Sequence, residues 1–153
     1  MNGLNCDKTN ADNCPYSLLE IAVARLTPTC YIGSDPEGIY EIYVEIHGVG
    51  RRGTQDFKLE IYDIPDASLV EFEKIDPPPT SQEPSGYHTR IEWEDTMKTQ
   101  PPAQRVFKAR VQSYAGRTGR TSITVKLHHA KQSPPYTCSG SLIHEVDLEV
   151  EVQ

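Results

Sequence analysis

The segment Ile39-Tyr40-Glu41-Ile42-Tyr43-Val44-Glu45-Ile46-His47 decides the fold class. Tyr40, Ile42, Val44 and Ile46 point one way, and Glu41, Tyr43, Glu45 and His47 the other. A period of two over this length is the signature of an extended strand with one dry and one wet face. The pattern recurs along the chain. Phe57, Leu59 and Ile61 alternate with Lys58, Glu60 and Tyr62, and Ile91 and Trp93 with Arg90, Glu92 and Glu94. Phe107, Ala109 and Val111 alternate with Lys108, Arg110 and Gln112, and Ile123, Val125 and Leu127 with Thr124, Lys126 and His128. Val146, Leu148, Val150 and Val152 alternate with Glu145, Asp147, Glu149 and Glu151. Leu19, Ile21 and Val23 open the series, and Leu69 to Ile75 adds a weaker strand. Tyr16 to Leu26 holds Leu, Glu and Ala, which suit a helix. Its β-branched residues and the following Thr27-Pro28 assign it to a strand instead.

About eight half-buried strands predict an all-β fold, an antiparallel immunoglobulin-like β-sandwich with Greek-key connections. Proline is confined to the connections, as a sheet requires. Asp35-Pro36-Glu37-Gly38 fits a type I turn, and Gly48 to Gly53 and Ala115 to Arg120 are flexible tips. The segment from Asp76-Pro77-Pro78-Pro79 to Gly86 reads as a Pro-rich loop. Residues 17–153 form the sandwich, and residues 1–16 are an N-terminal segment closed by a disulfide. If neighbouring strands simply reverse, Cys30 and Cys138 share one end. The tips carrying Arg51, Arg52, Arg117 and Arg120 then share the other.

The chain has 153 residues, enough for one domain with a real core. Asp and Glu number 22 against 15 Lys and Arg, a net charge of -7. No apolar run is long enough for a spanning helix, and no basic footprint for nucleic acid is present. Met1 is followed by polar Asn2-Gly3-Leu4-Asn5, without the apolar stretch of a signal peptide. The four cysteines nonetheless point to an oxidising compartment. A piece of a larger exported protein, secreted or on a cell surface, satisfies both observations. The expected pairs are Cys6–Cys14 and Cys30–Cys138. Zinc is disfavoured, because no Cys-x-x-Cys or matching His spacing occurs.

Catalytic signals are absent. Ser113 and Ser139 lie near glycine without the strand-to-helix elbow a nucleophile needs. The carboxylates fall regularly on wet strand faces, where they serve solubility. No phosphate loop or dinucleotide fingerprint occurs, so no enzyme activity and no cofactor are expected. Asp7, Asn10 and Asp12 offer oxygen ligands for calcium, and Asp12-Asn13-Cys14-Pro15 resembles a fragment of thrombospondin type 3 repeats. A plain disulfide-closed loop is the favoured reading, with no metal. His47, His88, His128, His129 and His144 are scattered, and the adjacent pair must face opposite sides. Arg51, Arg52, Arg117 and Arg120, with Tyr114 beside them, form the candidate binding site. Guanidinium groups there suit an anionic glycan or an acidic protein. The competing reading is that Arg-Gly tips are simply soluble hairpin ends.

Tyr40 to Ile46, Phe57 to Pro65 and Arg90 to Trp93 together resemble the bacterial immunoglobulin-like surface repeats. These include a conserved repeat domain of unknown function found in tandem on exported proteins. The resemblance covers residues 17–152 and implies a non-enzymatic extracellular module, structural or adhesive, with neighbouring domains of the same protein as partners. An antibody-type domain is not expected, since the Cys-Trp-Cys spacing is missing. The alternative is a carbohydrate-binding module of a secreted hydrolase, using Tyr43 and Tyr62 as an aromatic strip. A third reading, assembly through strand edges, is opposed by the acidic strand Glu145 to Glu151.

Overall fold

The computed structural model describes residues 7–10, 18–33, 38–64, 67–83, 88–130 and 142–153. The strands are β1 (Asp7–Asn10), β2 (Leu19–Thr27), β3 (Tyr31–Ile32), β4 (Glu41–Gly48), β5 (Thr54–Tyr62) and β6 (Val70–Asp76). They continue with β7 (Ser81–Glu83), β8 (Arg90–Lys98), β9 (Gln104–Ser113), β10 (Gly119–His129) and β11 (Leu142–Val152). Two sheets face each other. One follows the order β1-β11-β10-β5-β8-β7, with β3 also on the outer side of β11. The other follows β2-β4-β9-β6. The expected all-β sandwich is therefore present.

Alternation does what it promised. Ile42, Val44 and Ile46 of β4 are fully buried, as are Phe57, Leu59 and Ile61 of β5. Trp93 and Phe57 both pack on Phe107, at ring-centroid distances of 4.9 and 6.0 Å. Each such side chain removed from water contributes roughly 1.5–3 kcal/mol. The Trp93 indole keeps its polar atom satisfied by donating to the Pro77 carbonyl at 2.8 Å. β2 departs from strict alternation. A bulge between Ile21 and Val23 shifts the register, so Ile21 and Leu26 face the core while Val23 turns outward.

The chief difference from the sequence reading is β7. It lies inside the Pro-rich connection and pairs antiparallel with β8. It adds one reversal, so every later strand runs opposite to the simple count. The register fixes the outcome. Call the end holding Gly48, Thr54 and Lys98 the upper end, and the end holding Glu41, Tyr62 and Arg90 the lower. β9 descends beside β4 from Gln104 to Ser113, and β10 climbs beside β5, with Thr124 opposite Tyr62 and His129 opposite Phe57. β11 then descends from Leu142 to Val152.

Cys30 is buried and disulfide-bonded, and its carbonyl accepts the Glu151 N–H at 2.8 Å, at the lower end. The expected bonds Cys6–Cys14 and Cys30–Cys138 both involve cysteines outside the described residues; Leu142, four residues after Cys138, begins β11 at the upper end. Within the N-terminal segment, β1 pairs with β11 from Asp7–Leu148 to Asn10–Glu145. Asp7 and Val152 both lie toward the lower end. The acidic strand β11 is not an edge: it sits between β10 and the β1 and β3 strands.

Candidate functional site

The four arginines expected to form one patch do not meet. Arg51 and Arg52 are exposed in the upper connection, where the Thr99 hydroxyl donates to the Arg51 carbonyl. Arg117 and Arg120 are at the lower end. The two pairs are separated by the length of β5, on the order of 30 Å. The missed strand β7 is the cause. Arg117 stacks on Tyr114 at 4.9 Å and donates to the Ser68 carbonyl, so it braces two lower turns together. Arg120 borders a groove of about 390 Å³ with Ile64, Ser122, Glu149 and Glu151.

The aromatic strip is not formed either. β4 and β5 are consecutive in the chain but belong to different sheets, so Tyr43 and Tyr62 point out of opposite faces. Among the described residues, no three His, Cys, Asp or Glu side chains converge as a metal site. Asp7 and Asn10 lie on β1, and Asp12 is outside the described residues. Ser113 ends β9, and Ser139 is outside the described residues. No helix among them is long and apolar enough to cross a membrane.

The two outer faces differ in how their charges are met. On the seven-stranded sheet a central group of charges satisfies itself. Glu60 accepts from His128 at 2.9 Å and pairs with Arg90. Arg90 also reaches Glu92 at 3.4 Å, Lys58 lies 3.9 Å from Glu92, and Lys126 lies 3.5 Å from Glu145. The hydrogen bond from His128, with the nearby Arg90 charge, holds the Glu60 carboxyl below the usual range. Lys126 also lies 5.3 Å from the Tyr62 ring, which covers that aromatic face.

The four-stranded sheet is organised around Tyr43. β4 is its inner strand, with β2 and β9 on either side, so Arg25 and Lys108 stand directly opposite Tyr43. The Arg25 guanidinium lies 4.5 Å from the ring centroid, and the Lys108 ammonium 5.9 Å. These are cation–π distances. The Tyr43 hydroxyl donates to Glu45 at 2.7 Å, and the same carboxylate meets His47. Those two hydrogen bonds, Tyr43 first, lower the Glu45 pKa, and the bond to Glu45 raises that of Tyr43. Val23 and Val106 both oppose Glu45 across the sheet and are half-buried on this face. Arg105 and Arg110 are paired with Asp95 and Glu73. Arg25 and Lys108 have no carboxylate within ion-pair distance among the described residues. The sequence reading passed over both cations. Each looks like an ordinary wet-face residue until β2 and β9 are known to flank β4.

No protein-family model and no curated protein matches the chain. Among solved structures, it is similar to a chain in a type I cohesin–dockerin complex from Clostridium thermocellum. The identity is 14%, the TM-score 0.43, and the match covers 94% of this chain and 97% of that one. At that level of similarity, function rests on this chain's own residues.

Proposed function

We propose that the chain is a non-enzymatic extracellular module of a larger exported protein, and that it holds a partner by the outer face of its four-stranded sheet. One observation carries this reading. Tyr43 is half-buried at the middle of that face, bracketed by Arg25 and Lys108 and shouldered by Val23 and Val106. Tyrosine and arginine dominate the centres of protein interfaces, because they bring large contact area with a polar tip. At the centre of the opposite face, Lys58, Glu60, Arg90, Lys126 and Glu145 are engaged with one another or with neighbours of this chain. The oxidised state of Cys30 supports a compartment outside the reducing cytosol.

The test places a photoreactive residue at Val106 on this face or at Lys58 on the other, in the presence of the organism's exported proteins. A discrete cross-linked species is expected from position 106 alone. Tyr43→Ala should weaken that association by about 2 kcal/mol, the scale of an interface hot spot. Equal cross-linking from both faces, or none from position 106, overturns the proposal. A glycan array serves as the second arm: glycan binding that survives Tyr43→Ala would favour a carbohydrate-binding module instead.

A further inference from the structure

We infer that the partner meets this face with an acidic, extended polypeptide segment, its carboxylates placed over Arg25 and Lys108. This rests on the reading of the four-stranded face as the binding surface, and it names the chemistry of what binds.

The cations are the starting point. Among the strand cations, Lys58, Arg90, Arg105, Arg110 and Lys126 each have a carboxylate of this chain within reach, while Lys74, Lys98 and Arg120 have none among the described residues. Arg25 and Lys108 have the Tyr43 ring in that place. A ring holds a cation against the surface without neutralising it. Asp76 of β6 stands opposite Lys108 and Arg25 lies near Glu45, but neither cation makes an ion pair among the described residues. The acid nearest to them along β4, Glu45, is already engaged by the Tyr43 hydroxyl and His47. Glu41, on the other side of Tyr43, lies opposite Arg110 and Thr27.

Geometry favours an extended segment. β2 and β9 flank β4, so the two cations stem from strands about 10 Å apart. Alternate side chains of an extended peptide project to the same side about 7 Å apart, within the compass of two flexible basic side chains. Val23 and Val106 flank Glu45 in the neighbouring row of this face, beside the path from Arg25 over Tyr43 to Lys108. That apolar shoulder favours a polypeptide over a sulfated glycan, which has no comparable surface to bury. The net charge of -7 does not forbid an acidic partner. At 0.15 M salt, exposed charges more than ~8 Å away are largely screened, and the local pair decides.

The experiment uses fluorescence anisotropy at 0.15 M salt with three labelled probes: the peptides Glu-Val-Glu-Val-Glu and Lys-Val-Lys-Val-Lys, and heparin. The wild-type chain is expected to bind the Glu peptide at least about tenfold more tightly than the Lys peptide. Combining Arg25→Glu with Lys108→Glu should abolish or invert that preference. Tyr43→Phe, which keeps the ring, should retain it. The urea midpoint of each variant shows that the fold is intact. Equal binding of the two peptides, binding of heparin alone, or an undiminished preference in the double variant overturns the inference. The failures are separable. If cross-linking from Val106 persists while the charge reversals change nothing, the face stands and the acidic partner falls. If position 106 never cross-links, both fall.

Discussion

At the residue scale, the lower end depends on Asp63. Its carboxylate is fully buried and accepts the N–H groups of Ile64 at 2.9 Å, Leu69 at 2.8 Å and Val70 at 3.3 Å, together with the Thr121 hydroxyl. One side chain thus ties the connection after β5 to β6 and β10. Removing it leaves several buried donors unmet, each costing about 1–3 kcal/mol. Asp63→Ala is expected to destabilise the fold by about 3 kcal/mol in urea unfolding, and Asp63→Asn by less. Burial acts differently on His129 and His144, lowering both pKa values below the ordinary 6.5. Their unfolded forms take up protons first. Stability contributed by the neutral rings is complete above about pH 6.5 and falls as the pH drops toward the folded values. For His144 burial outweighs the opposing charge of Glu20, and its Nδ1 accepts the Ile21 N–H at 3.2 Å. Urea midpoints should therefore decline between pH 7 and 5.5, and His129→Gln with His144→Gln should flatten that decline. Glu60, with its pKa held low by His128, loses its contribution only below the ordinary carboxylate value near 4.5. A decline confined to that lower range would assign the effect to carboxylates.

At the element scale, eight strands were legible because each has a core face. Alternation records burial, and Ile42, Val44 and Ile46 are buried as it requires. It does not record pairing. Ser81, Gln82 and Glu83 of β7 are all exposed, so no apolar residue marks them, although they hydrogen-bond to β8. β1 has the polar sequence Asp-Lys-Thr-Asn and so shows no alternation, and β3, although its Ile32 is fully buried, is only two residues long. Because β7 escaped, the four-arginine patch, which was built on strand direction, failed. The candidate face escaped too, because Arg25, Tyr43 and Lys108 come from three strands joined only by sheet order. The disulfides give a direct check on the revised topology. Cys6 immediately precedes Asp7, which pairs with Leu148, and the Cys30 carbonyl meets Glu151 further down β11. A non-reducing digest is expected to yield a peptide joining Cys30 to Cys6. One joining Cys30 to Cys138 would overturn the strand directions described above.

At the scale of the whole molecule, a net charge of -7 conceals two unlike surfaces. The centre of one sheet joins its charges in ion pairs, and the other sets Arg25 and Lys108 against the Tyr43 ring. A second whole-molecule property follows from β1 and β11 being antiparallel, with Asp7 and Val152 toward the same end. Tension drawn from the two termini would enter at that one end. β1 would then peel from β11 pair by pair, beginning at Asp7–Leu148, instead of resisting in shear along its whole length. Load entering there would open a seam at the edge of the seven-stranded sheet and draw no force along the long axis of the other strands.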